Sequence, residues 1–156
     1  MWQLAQWSES TALGNAIRNS QYLFPMIEFA HLVALAIIGG AVLIVDMRLL
    51  GLGLRNSSVA QVAREAQPYV TGSLIVMLVT GIALYTSEAT KCYGSWAFWI
   101  KIGALILAIA FTYTVKRRVT APGSPISLSS GRAVAAISLT LWFAVAWGGR
   151  WIGFGG

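Results

Sequence analysis

The residues of this sequence best suited to chemistry are an imidazole and a carboxylate close together in one apolar stretch. Glu28 and His31 lie three residues apart, so they share one face of a helix. His31 is the only histidine, and an imidazole can carry a proton or bind a metal. Lys101 and Arg150 lie near the ends of two later apolar stretches. We predict that these four residues form a polar cluster near one end of the helices.

Haem b is one ligand that this cluster fits. A haem is commonly held by axial histidine, and its propionates pair with basic side chains. His31 would then bind the iron, and Lys101 and Arg150 would hold the propionates. The second axial ligand stays open between none, a methionine such as Met26 or Met77, and His31 of a second copy.

The same residues also suit a quinone headgroup, which needs only hydrogen-bond partners. The structural alternative is an ion pair of Glu28 with Lys101 or Arg150, with His31 hydrogen bonded to a backbone carbonyl or to Glu28. A proton-linked transporter or channel is a further alternative, because Asp46 lies about five turns from Glu28 on the same face, about 27 Å along the axis.

No protonatable residue lies between His31 and Asp46 on this face, which weakens the transport interpretation. Asp46 does not share a face with Arg48, because residues two apart diverge on a helix. We expect Asp46 to pair instead with a loop arginine and to fix the helix boundary. The candidates are Arg55, Arg64, Arg117 and Arg118.

Small residues interrupt the same apolar stretch at Gly39 and Gly40. Small residues in membrane helices allow two backbones to approach closely. We therefore expect Gly39 and Gly40 to mark a contact between helices, with room for a flat ligand as the alternative.

The composition shows which elements must position these residues. Of the 156 residues, 57% are hydrophobic and only 10% are charged, whereas soluble domains average about 25% charged residues. A membrane-spanning helix needs about 20 apolar residues. The sequence predicts an all-α, four-helix transmembrane bundle in a single domain, residues 1–156, with a short N-terminal amphipathic helix at the interface. The interfacial helix covers about 8–20, and the spans cover about 26–50, 70–86, 96–115 and 133–147.

The basic residues predict the orientation, because cytoplasmic loops are enriched in lysine and arginine. The first and third loops carry seven of them and the other side four. This places both termini on the periplasmic side of a bacterial inner membrane. The net charge of +6 is explained by anionic lipid heads, so we expect the bilayer, and no nucleic acid, as a partner.

Several kinds of site are not indicated. No arrangement of serine, histidine and acid suggests a hydrolase. A zinc or iron–sulfur site needs more than one cysteine and one histidine. Cys92 is therefore a free thiol or an intermolecular bridge. We expect no independent catalytic activity.

Two resemblances follow from the motifs. The run from Phe24 to His31, the segment Asp46–Gly51 and the closing Gly149–Ile152 resemble a family of small bacterial inner-membrane proteins of unknown function. This resemblance implies four membrane helices. The pattern around His31 and Lys101 also looks like the membrane domain of copper-resistance D-type proteins and b-type cytochrome bundles. A copper site would favour more histidine and methionine ligands than this chain offers.

These observations predict a redox-associated membrane subunit that binds haem b or a quinone through His31. The alternatives are a non-catalytic assembly subunit, acting as a homo-oligomer or within a larger membrane complex, and a small proton-linked transporter or channel.

Overall fold

The computed structural model describes residues 2–53, 56–124 and 127–152, and these residues form seven helices. Four are long and apolar enough to cross a membrane: α3 (Leu23–Leu49), α4 (Val59–Ser87), α6 (Trp96–Val119) and α7 (Leu128–Ile152). The predicted all-α bundle of a multi-pass membrane protein is thus confirmed. Three short helices, α1 (Trp2–Ser10), α2 (Ala12–Asn19) and α5 (Ala89–Gly94), lie at one end.

The long helices alternate in direction, which gives the bundle two distinct ends. We call the end with α1, α2, α5 and the C-terminus of α7 the terminal end. The other end, where α3 connects to α4 and α6 to α7, is the loop end. Helix α3 packs against both α4 and α7, and α7 packs against α6. Within the described residues α4 and α6 have no comparable packing against each other.

The core explains why α3 is central. Its side chains Ile38, Val42 and Val45 are almost completely buried. They meet Val70 and Leu74 of α4 and, on the other side, Val145 of α7. Large apolar side chains on the outer faces of the four helices remain exposed, as expected where lipid tails replace water.

Helix α4 begins at Val59, well before the predicted residue 70, and it continues through Pro68. Ser58 caps the helix by accepting a hydrogen bond from the Gln61 backbone N–H. Val62 and Ala66 are then buried against the bundle, which stabilises the first turns. A proline inside a helix removes one backbone hydrogen bond, and this packing compensates for that loss.

The predicted interfacial helix is replaced by two helices, α1 and α2. Thr11 separates them and caps α2 by accepting a hydrogen bond from the Gly14 backbone N–H. Gly14 lies so close to α4 that a Cβ built there would be 2.6 Å from the Thr86 carbonyl oxygen. The two helices therefore dock on the terminal end. Of the predicted loop residues, Arg55 lies outside the described residues.

Candidate functional site

His31 is buried between α3 and α4 near the terminal end. Its relative exposure is 8%, and its Nδ1 atom lies 2.9 Å from Thr80 Oγ1. Gly81 makes room for the ring, because a Cβ there would come within 3.3 Å of His31 Cε1. The imidazole is thus hydrogen bonded to Thr80 and packs closely against the neighbouring Gly81 of α4.

The hydrogen bonds of Thr80 determine the tautomer of His31. The Thr80 hydroxyl donates to the Val76 carbonyl oxygen at 2.6 Å, so its proton is already used. Nδ1 of a neutral His31 must therefore be the donor toward Thr80, and its Nε2 keeps an unprotonated lone pair. The side-chain hydrogen bond of the imidazole within the described part of the chain is at Nδ1, and none from another side chain is given at Nε2. This is the arrangement in which histidine binds a metal or accepts a proton from a ligand.

Lys101 reaches the same end of the bundle from α6. Gly148 and Gly149 of α7 accommodate it, since a Cβ built at Gly149 would lie 3.4 Å from Lys101 Nζ. No carboxylate of the described residues lies within ion-pair distance of the ammonium. Lys101 is therefore a half-buried cation without a carboxylate partner among the described residues.

The other two residues of the predicted cluster are exposed. Glu28 lies on α3 and forms no ion pair with the described residues, so the alternative in which Glu28 pairs with Lys101 or Arg150 is not found. Arg150 lies near the end of α7, one residue after Gly149, which lies against Lys101. The polar cluster of all four residues stays a prediction.

The possible second axial ligands of a haem differ in position. Met26 is 67% exposed, so it points away from the bundle, whereas Met77 is 3% exposed. The Met77 carbonyl lies near the imidazole. In the described residues no three side chains of histidine, cysteine, aspartate or glutamate approach each other as a metal site would require.

A second buried polar group lies in the loop half of the bundle. Asp46 is completely buried, and its Oδ1 lies 2.6 Å from Lys116 Nζ. Lys116, itself 5% exposed, also donates a hydrogen bond to Ser138 Oγ at 3.1 Å. This group joins α3, α6 and α7. Asp46 Oδ2 has no hydrogen-bond partner among the described residues.

This pairing corrects the expectation that Asp46 binds a loop arginine. Arg64, Arg117 and Arg118 are exposed, and Arg48 donates instead to the Ser57 carbonyl oxygen at 2.8 Å. Lys116 is positioned by a π-helical segment, Thr112–Lys116, within α6. The predicted third span ends at residue 115, so Lys116 was counted among the basic residues of the third loop. Because it directly precedes Arg117 and Arg118, the sequence gives no signal that it is buried.

Gly39 and Gly40 do not mark a close contact. A Cβ built at either position would meet no atom within 4 Å. Gly40 is exposed and Gly39 is half-buried. The close approaches that need glycine lie instead at Gly14, Gly81 and Gly148.

The terminal end also carries the best-connected carboxylate outside the membrane spans. Burial opposes ionisation of Glu9, but hydrogen bonds from the Thr90 hydroxyl and backbone N–H, together with the charge of Arg18, lower the pKa of its carboxyl below the usual value. This contact ties α1 to α5. Burial, and then the charge of Glu88, raise the pKa of the Cys92 thiol, so this free cysteine is not a reactive thiolate at neutral pH.

Comparisons with known proteins give one assignment. A family model described as "Family of unknown function (DUF6644)" matches residues 4–155. No curated protein and no solved structure matches the chain. The resemblance to an uncharacterised small family is thereby confirmed, whereas the likeness to b-type cytochromes and copper-resistance proteins is not shown.

Proposed function

This chain belongs to that family of unknown function, and we propose that it is a redox-associated membrane subunit that binds a quinol headgroup between His31 and Lys101. The observation that carries the proposal is a buried histidine whose Nδ1 is taken up by Thr80, which leaves Nε2 to bind a ligand. Ionisable groups inside a membrane are costly and usually serve a function. A site with an acceptor nitrogen and a cation is matched by a ligand with a hydroxyl that loses its proton.

The two side chains have complementary roles in this proposal. His31 Nε2 accepts the hydrogen bond of a quinol hydroxyl. The Lys101 ammonium stabilises negative charge on a quinol oxygen when its proton leaves. The described residues include no metal-binding cluster, so in this proposal the electrons pass to a partner subunit. The proposal therefore includes a larger membrane complex and no independent catalytic activity.

Haem b is the competing ligand for the same site. His31 Nε2 would bind the iron, and Lys101 would pair with a propionate. A haem needs a flat cavity beside Nε2 that is large enough for the whole macrocycle. A quinol needs space only for its headgroup, and its tail remains in the lipid. The quinol is therefore the smaller demand on the packing around His31, where Gly81 already lies close to the ring.

The test is to purify the protein in mild detergent under anaerobic, reducing conditions and to measure its total quinone content, quinol included, by extraction. Oxidised and dithionite-reduced visible spectra are recorded on the same sample. We expect bound quinone and a flat spectrum. A hydrogen bond between neutral groups contributes about 0.5–1.5 kcal/mol and one to a charged group about 1.5–3 kcal/mol. His31→Ala should therefore lower quinone occupancy about two- to tenfold, and Lys101→Met at least about tenfold.

Lys91→Met is the matched control, because Lys91 is exposed on α5. Its quinone content should equal that of the wild type. A Soret band with reduced α and β bands, all lost in His31→Ala, would show that the site binds haem b and not a quinol. A flat spectrum and no bound quinone, in protein from membranes rich in haem and quinone, would overturn the proposal. A non-catalytic assembly subunit would then be the favoured function.

The proposal also places the loop end in the cytoplasm of a bacterium and both termini in the periplasm. Single-cysteine variants in a Cys92→Ser background test this, with Asn19→Cys at the terminal end and Ser129→Cys at the loop end. Both positions are exposed. A membrane-impermeant maleimide should label only Asn19→Cys in intact spheroplasts. Labelling of Ser129→Cys alone would reverse the orientation.

Proton-linked transport is the second candidate, supported by the buried Asp46 carboxylate with its unpartnered Oδ2. The exposed position of Glu28 removes the entry point of the predicted path. In sealed, oriented vesicles this function predicts a proton flux that Asp46→Asn abolishes. The absence of flux in the wild type would exclude it.

A further inference from the structure

A long groove lies between α4 and α6, on the side of the bundle where these two helices do not pack together. Its volume is about 820 Å³, which is within the usual range for ligand pockets, about 300–1,000 Å³. Helix α3 forms the floor through Ala41, Val42 and Val45. The groove follows α4 from Ser58 to Thr71, a length of roughly 20 Å. We call it the α4–α6 groove.

The charge of the groove is positive. Arg64, Lys116 and Arg117 line it, and no carboxylate of the described residues does. Lys116 is neutralised by Asp46. Arg64 and Arg117 have no acidic partner among the described residues. The groove therefore presents two uncompensated guanidinium groups, one from each wall.

The apolar part of the groove lies next to this charge. The floor is aliphatic, and Ala66 and Val70 continue it along α4. At the end nearer the membrane centre, the hydroxyl groups of Thr71 and Tyr113 are hydrogen bonded at 2.9 Å and link the two walls. An occupant must therefore combine an anionic head with an apolar body.

The backbone gives independent support for a polar occupant. Pro68 on one wall and the π-helical segment Thr112–Lys116 on the other both interrupt regular helical hydrogen bonding. Pro68, Thr112 and Lys116 all line the groove. Irregular backbone at membrane depth is tolerated where it is buried in protein or lines a polar cavity. Its presence on two facing walls indicates that the groove is not simply filled by lipid tails.

We propose that the α4–α6 groove is a specific binding site for one anionic phospholipid. Arg64 and Arg117 hold the phosphodiester, and an acyl chain follows the aliphatic floor of α3. Arginine suits this role because its planar guanidinium binds phosphate through two parallel hydrogen bonds. The site is separate from His31 and Lys101, so it stands or falls independently of the quinol site.

The test uses native mass spectrometry of the full chain in detergent with added phosphatidylglycerol or phosphatidylcholine. We expect one retained phosphatidylglycerol and little phosphatidylcholine. Each basic residue near an anionic lipid contributes about 1 kcal/mol. Arg64→Ala and Arg117→Ala should each weaken binding roughly fivefold, and the double variant roughly 25-fold.

Two controls separate the groove from general surface charge. Arg118→Ala removes a neighbouring exposed arginine that does not line the groove, and it should bind phosphatidylglycerol like the wild type. Ala60→Trp keeps all charges but fills the groove from the α4 wall, and it should lose the lipid. Equal losses in Arg118→Ala and Arg117→Ala, equal retention of phosphatidylcholine, or unchanged binding in Ala60→Trp would overturn the proposal. Complete competition by millimolar inorganic phosphate would assign the site to a free anion instead.

Discussion

Each half of the bundle holds a lysine between its helices, but the charge of the lysine is compensated in only one of them. In the loop half, the buried Lys116 lies 2.6 Å from Asp46 Oδ1 and 3.1 Å from Ser138 Oγ. In the terminal half, the half-buried Lys101 lies beside Gly148 and Gly149, with no carboxylate of the described residues in ion-pair range. The loop half supplies its own counter-charge. The terminal half has none among the described residues, and a ligand with a labile proton or a negative charge would provide it.

The two lysines should therefore affect the stability of the fold in opposite directions. Breaking a buried ion pair leaves one charge without compensation, so each partner stabilises the fold only while the other is present. An unpaired buried cation is a cost to the fold in the absence of a ligand. The loop half should therefore lose stability when its lysine is removed, and the terminal half should gain it.

The largest effect is expected from Asp46→Asn, which leaves Lys116 buried without a counter-charge. We expect a loss of about 3–5 kcal/mol in the free energy of unfolding, measured by denaturant titration in mild detergent. Lys116→Met should cost a similar amount. The double variant Asp46→Leu/Lys116→Met should recover most of the loss, because it removes both charges. Glu65→Gln on the exposed face of α4 is the control. Additive losses in the double variant would show that the two residues do not act as a pair.

The sequence predicted the all-α membrane bundle because apolar run length is a direct physical requirement of the bilayer. The clustering of His31 with Lys101 stays a prediction. The sequence did not predict the partner of Asp46, since the choice between lysine and arginine depends on helix rotation. The π-helical segment that positions Lys116 has no sequence signature of its own.

Helix ends and glycines were the other points at which pattern reasoning failed. The second span was predicted to begin at about residue 70, but capping by Ser58 and burial of Val62 extend α4 by about three turns through Pro68. Gly39 and Gly40 are adjacent and central, yet the helices approach closely at Gly81 and Gly148. Which glycine meets a neighbour depends on the packing of whole helices, and spacing within one helix does not show it.

The opposite sign is expected in the terminal half. Lys101→Met removes a half-buried cation and keeps an apolar side chain of similar length. We expect the ligand-free protein to become more stable by about 1–3 kcal/mol, by the same denaturant titration. Lys91→Met changes an exposed lysine on α5, and it should change stability by less than about 0.5 kcal/mol. A loss of stability in Lys101→Met would mean that Lys101 is compensated in the bundle, and the contrast between the two halves would fail.

A smaller effect is expected from Thr80→Val, which removes the acceptor of His31 Nδ1–H. One hydrogen bond contributes about 0.5–1.5 kcal/mol to stability, and we expect a loss in this range. Because the Nδ1-protonated tautomer of His31 is no longer stabilised, quinone occupancy should also fall several-fold, although Lys101 is still present. Thr114→Val is the matched control, since Thr114 donates only to the Ala110 carbonyl oxygen of its own helix. It should retain the quinone, and a Thr80→Val protein with normal occupancy would contradict the role of the tautomer.

The smallest effect concerns the contact between α1 and α5 at the terminal end, which should depend on pH. The pKa of Glu9 is lower in the folded chain than the ordinary value of 4.5, so the folded state binds fewer protons than the unfolded state around this pH. The stabilisation is fully present above 4.5 and is lost as the pH falls through the lowered folded value. Wild-type Tm should therefore drop more between pH 6 and pH 4 than the Tm of Glu9→Gln. Glu65→Gln should behave like the wild type. If Glu9→Gln keeps the full wild-type drop, the contact with Thr90 does not hold α1 on the bundle, and the terminal half is less enclosed than its geometry indicates.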